Sequence, residues 1–165
     1  MASITFQGNP VQTVGELPEV GSQAPAFDLV AGDLSAVTSD SLAGRRLVIS
    51  IYPSVDTGVC AAALREFNQR AADLENTTVV SVSKDLPFAA ARFCAAEGID
   101  NVETVSAFRS SFGEDYGVTM TDGPLAGLLS RAVVVTDENG KVVYTQQVSE
   151  VAEEPDYDAA LAALA

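Results

Sequence analysis

The sequence predicts an α/β domain built on a mixed β-sheet with helices on both faces. Residues 47–52 (LVISIY) and 78–82 (TVVSV) are apolar, β-branched runs of strand length, separated by an amphipathic helical stretch. That order makes a βαβ unit, with parallel strands and a right-handed crossover. Residues 132–136 and 142–146 flank Asn139-Gly140, a strong hairpin turn signal, and so add antiparallel strands.

Taken in order, Ile4, Phe6, Val11 and Val14 around Gly8-Asn9-Pro10 predict a short N-terminal β-hairpin. The strand over 47–52 stops at Pro53, and Thr57 is a good N-cap for the helix that follows. Cys60, Leu64, Phe67, Ala71 and Leu74 recur along that helix at i, i+4, i+7, i+11 and i+14, which is one apolar face. After the strand over 78–82, Asp85 is placed to cap a second helix whose first turn tolerates Pro87 and which Gly98 ends. Cys94 falls in its C-terminal half. A short helix is expected within 108–116 and a final one over 157–164. Glu150, Glu153, Glu154, Asp156 and Asp158 read as a solvated segment and helix start. No repeat, linker or low-complexity tract divides the 165 residues, so one domain over 1–165 is expected.

Composition removes many functions. A formal net charge of −14 repels nucleic-acid phosphates and anionic lipid surfaces, and serves solubility. No stretch approaches the roughly 18 apolar residues of a membrane span. The first twenty residues carry no basic segment followed by an apolar one, so the expected address is the cytoplasm. With no histidine, Ser-His-Asp and Cys-His catalysis and His-ligated metals drop out. Two cysteines cannot form a four-thiolate metal site, and no phosphate-binding glycine motif occurs. No cofactor or metal is expected. What stands out is the cysteine pair.

If Thr57 is the N-cap, Cys60 is the third helical residue, among unpaired backbone N–H groups at the positive end of the helix dipole. An ordinary thiol of pKa ~8.5 is only about 3% ionised at pH 7. Lowering a thiol to ~6 takes roughly 3.4 kcal/mol, whereas a helix terminus supplies ~0.3–1 kcal/mol and at most ~2. A reactive Cys60 therefore requires a nearby cation, drawn from nine lysines and arginines. Arg131, at the start of the apolar run AVVV, is a candidate, and an arginine stays charged when desolvated. From position alone it also reads as a strand-end arginine paired with a surface carboxylate. Periodicity alone likewise reads Cys60 and Cys94 as small apolar packing residues. A lasting structural disulfide between them is disfavoured by a cytoplasmic address.

Local sequence separates these readings. Residues 53–60 (PSVDTGVC) match Pro-x-x-x-Thr-x-x-Cys, and the chain resembles the peroxiredoxins, more narrowly the bacterial thiol peroxidases, which are atypical two-cysteine peroxiredoxins. The resemblance extends over FQGNPV (6–11), SKDLPFAAARFCAAEG (83–98), YGVTMTDGPLAGLLSRAVVV (116–135) and EEPDYDAAL (153–161). It implies a thioredoxin-like fold and a thiol-dependent peroxidase acting on alkyl or lipid hydroperoxides and hydrogen peroxide. Cys60 would be the peroxidatic thiolate and Cys94 the resolving cysteine, joined in a transient disulfide that a thioredoxin-like protein reduces. Thr57 would hold thiolate and peroxide, Arg131 would stabilise the thiolate and polarise the peroxide, and Pro53 would shield the pocket. A homodimer is also implied. Closing the disulfide would unwind the start of the Cys60 helix, the Cys94 helix, or both. A redox sensor could share all these residues, and a purely structural domain would leave both thiols inert to peroxide.

Overall fold

Alternation inside three adjacent strands sets the layers of this computed structural model, which describes residues 2–164. In β5 (Arg46–Ile51), β6 (Thr77–Ser83) and β8 (Ala132–Thr136), successive side chains enter opposite buried faces. Leu47, Ile49, Ile51, Val80, Val82, Ala132 and Val134 join one apolar cluster, whereas Val48, Val79, Val133 and Val135 join another. A sheet apolar on both faces needs cover on both. α1 (Gly58–Ala71) and α4 (Tyr157–Ala162) cover the second face through Phe67 and Ala160. Phe67 and Tyr157 meet edge to face at 5.1 Å between ring centroids, which ties the two helices together. α3 (Phe112–Asp115) and the segment after it cover the first face, through Phe112, Tyr116, Val118 and Leu129.

With β3 (Asp28–Ala31), β4 (Ala36–Thr38), β7 (Glu103–Ser106) and β9 (Val142–Gln147), the sheet has the order β4-β3-β7-β6-β5-β8-β9. β5, β6 and β7 run parallel, and β8 pairs antiparallel with β5 and with β9. The mixed sheet, the parallel βαβ unit and the β8–β9 hairpin are those predicted. β3, β4 and β7 were not foreseen; each has only three or four residues, too few to show a period.

Four local readings need correction. The N-terminal hairpin, β1 (Ser3–Phe6) and β2 (Asn9–Gln12), turns at Gln7-Gly8, not at Gly8-Asn9-Pro10. Gln7 and Gly8 have φ of 51° and 81°. The two-residue turn needs positive φ at both central positions, which proline's ring forbids, so Pro10 falls in the strand. Asp85 does not cap α2 (Pro87–Glu97): Leu86 holds the N-cap position with no side-chain bond, and the Asp85 carboxylate is engaged elsewhere. α3 is shorter than the predicted 108–116. α4 ends before 164, its C-cap being Ala163. Gly98 does end α2, with φ of 68° and its N–H bonded to the Cys94 carbonyl.

Candidate active site

The buried strand β5 leaves the sheet through Tyr52 and Pro53, both buried, and the chain turns into α1. Thr57 is extended (φ −96°, ψ 144°), and its Oγ1 accepts from the Cys60 N–H at 3.4 Å while donating to the Ser54 carbonyl at 3.1 Å. Cys60 is thus the third residue of α1, in the turn whose amides lack intrahelical acceptors, and its side chain is fully buried.

Arg131 directly precedes β8 and shares the parity of Val133 and Val135, so it points to the sheet face that α1 covers. The pairing of Ile51 with Ala132 carries it to the end of β5 from which the Cys60 loop departs. Its Nη2 donates to Cys60 Sγ at 3.1 Å and its Nε to the Val151 carbonyl at 2.7 Å; Nη1 is buried without a partner. The residue is 3% exposed. No ion pair among the described residues includes it, so the surface-carboxylate reading of Arg131 fails.

Cys94 is half-buried on α2, and its thiol donates to Thr104 Oγ1 at 3.3 Å. Burial pushes this thiol above the usual range, and the Thr104 hydroxyl offsets part of that rise. Both cysteines are free, and both border one apolar cluster containing Tyr52, Val55, Leu64 and Ile99. The structure therefore brings Cys60 and Arg131 into contact, with Thr57 capping the same turn. Pro53 is buried at the loop's start, and Cys94 on α2 faces Thr104 of β7. No group of three metal-ligating side chains occurs among the described residues.

Sequence reasoning missed two residues here. Tyr52 is fully buried with an unpartnered hydroxyl, and burial, then the nearby Asp85, keep that phenol protonated well above its ordinary range. Asp85 itself binds the Cys60 loop. Its signal was topological: β5 and β6 are parallel neighbours, so the loops after both open at one edge of the sheet.

A family model described as Redoxin matches residues 19–161. A thiol peroxidase of Corynebacterium glutamicum is 62% identical over 164 residues, covering 99% of both chains. The chain belongs to the Redoxin family, among its thiol peroxidases. Among solved structures, a peroxiredoxin-like protein from Aquifex aeolicus superposes with a TM-score of 0.94 at 40% identity, covering 99% of this chain and 96% of its own. The thiol peroxidase from Chromobacterium violaceum, at 24% identity and a TM-score of 0.90 over 98% and 94% of the two chains, shares the fold. The fold is thus thioredoxin-like, and the enzyme is a thiol-dependent peroxidase. No helix among the described residues is long and apolar enough to cross a membrane.

Proposed function

We propose that Cys60 is the peroxidatic residue, that Arg131 and the first turn of α1 stabilise the moving charge, and that Cys94 resolves the oxidised product. One observation carries this reading: a buried guanidinium contacts Cys60 Sγ at 3.1 Å and keeps a second donor, Nη1, unpartnered. An unfilled buried donor costs about 1–3 kcal/mol, and a substrate oxygen would fill it.

The Cys60 thiolate attacks one peroxide oxygen. A sulfur–oxygen bond forms as the oxygen–oxygen bond breaks, and the departing oxygen takes a proton and leaves as water or an alcohol. Negative charge passes from sulfur to the departing oxygen, so fixed donors are needed at both ends. Arg131 serves both through its two terminal nitrogens. Thr57 holds the turn in place, and would turn its hydroxyl from the Ser54 carbonyl toward the reacting atoms. Buried Pro53 keeps water from the loop's inner side. Cys94 then attacks the sulfenic sulfur, and two thiols supply the two electrons that reduce one peroxide. A thioredoxin-like protein restores them.

The substrate class is organic and lipid hydroperoxides together with hydrogen peroxide; Val59 beside Cys60, and Phe88 and Phe93 on the Cys94 helix, give an apolar character suited to the former. A cytoplasmic address and, on family likeness, a homodimer complete the reading. Reduced protein mixed with one equivalent of cumene hydroperoxide tests it. Loss of both thiols with a mass decrease of about 2 Da supports the disulfide cycle, and thioredoxin-coupled turnover then tests the reductant. Survival of both thiols would sink it.

A further inference from the structure

Asp85 follows the end of β6 and stands two residues before α2. Its carboxylate joins no ion pair among the described residues. Instead Oδ1 accepts from the Ser54 hydroxyl at 2.7 Å, and Oδ2 from the Val55 N–H at 2.8 Å and the Ser83 hydroxyl at 2.7 Å. Its backbone is pinned as well: the carbonyl accepts from the Ser106 hydroxyl, and the N–H donates to Ser83 Oγ at 3.2 Å. From Ser54 the connections continue to Cys60, because the Ser54 carbonyl accepts from Thr57 Oγ1, which in turn accepts from the Cys60 N–H. One carboxylate ties the lead-in of the Cys60 helix to the root of the Cys94 helix.

The peroxide step has no use for this group, since a negative charge near the loop opposes a thiolate. We infer that Asp85 is a positioning residue: it latches the Cys60 loop in its reduced geometry and sets how fast the loop releases for disulfide formation. This rests on the cysteine roles proposed above. In the reduced state each thiol faces its own partner, Arg131 for Cys60 and Thr104 for Cys94. Resolution joins the two sulfurs as the Cys60 sulfur–oxygen bond breaks, and the oxygen leaves with the Cys94 proton as water. That bond requires Cα atoms within about 7 Å, so one or both helix starts must move. A latch slows the movement and lengthens the life of the sulfenic acid, which a second peroxide converts to sulfinic acid.

Asp85→Asn keeps the side chain's shape but replaces one acceptor oxygen by a donor; Ser54→Ala removes one of the carboxylate's bonds, together with the bond that the Ser54 hydroxyl accepts from the Asp56 N–H, and is the milder variant. Quenched-flow intact mass separates reduced, sulfenic, disulfide and sulfinic forms. The expected result is resolution faster by roughly 10- to 100-fold in Asp85→Asn, with a smaller rise in Ser54→Ala, as follows from losing one or more bonds to a charged acceptor. The sulfinic fraction at matched peroxide falls accordingly. A merely structural role slows both steps together. Resolution unchanged or slower in both variants, with wild type forming the disulfide, overturns the latch alone. Absence of the disulfide in wild type overturns the latch and the cysteine roles together.

Discussion

Replacing Arg131 by methionine removes the guanidinium and keeps an unbranched chain of similar reach. Two bonds are lost, Nη2 to Cys60 Sγ at 3.1 Å and Nε to the Val151 carbonyl at 2.7 Å. A hydrogen bond to a charged group is worth about 1.5–3 kcal/mol net. Expressed fully in the peroxide step, the sulfur bond alone corresponds to a slowing of roughly 12- to 160-fold at 1.36 kcal/mol per decade. The unpartnered Nη1 is a second fixed donor, and removing such a donor costs about 10²- to 10³-fold. Both belong to one residue and do not simply multiply, so the expectation is a 10²- to 10³-fold loss in the second-order rate. Stability responds differently. The Val151 carbonyl loses its Arg131 donor, at about 1–3 kcal/mol, but the desolvation of a buried cation is recovered. The net change should stay within about 2 kcal/mol. Quenched-flow alkylation and intact mass give the rate, and urea unfolding gives the stability. Arg131→Lys keeps the charge, but one ammonium cannot brace Cys60 and Val151 as the planar fork does, so it should recover only part of the rate. A folded Arg131→Met variant within about 5-fold of wild type would refute the role assigned to the guanidinium.

Three further outcomes follow from packing and hydrogen bonding. Phe67→Ala should destabilise by about 3–5 kcal/mol in urea unfolding, because Phe67 is fully buried between the sheet and Tyr157; a loss below about 1 kcal/mol would mean that the site collapses around the cavity. Tyr52→Phe should be neutral or stabilising by up to ~1 kcal/mol, because it deletes a buried hydroxyl that has no partner while nearby Ser83 donates to Asp85. A loss of more than ~1 kcal/mol would show that the hydroxyl does find a partner. The N–H groups of Ala152 and Gly8, with the Thr5 hydroxyl and the Gln7 N–H, hold the Glu150 carboxyl down at about 2. A depressed carboxyl contributes stability above its unfolded value and loses it as pH falls through its folded value. The difference in urea midpoint between wild type and Glu150→Gln should therefore be present near neutral pH and vanish between about 4.5 and 2. A pH-independent difference would contradict the assignment.

The long periodic elements were legible because their signals are local. Thr57 with the Cys60–Leu64–Phe67 face defined α1 and placed Cys60 in its first turn, and β-branched runs defined β5, β6 and β8. Short strands such as β4, held by pairing with β3, carry almost no signal of their own. Within the site, Arg131 was visible as a charge beside an apolar run, but its contact with Cys60 depends on the register between β5 and β8. Asp85 was misread for a related reason. A cap is inferred from the helix that follows, whereas its carboxylate bonds a loop that lies about thirty positions back in the chain.

Cys60 and Arg131 lie 71 positions apart, and the arginine arrives on the strand that docks against β5 on the side opposite β6. A ribosome delivers the cysteine first. Until β8 inserts, the thiol stands at the head of its helix with no buried cation beside it. On the roles proposed for Cys60 and Arg131, completion of the sheet and arming of the thiol are a single event, and a half-folded chain would be spared oxidation. Peroxide consumption during refolding would time the docking of one strand.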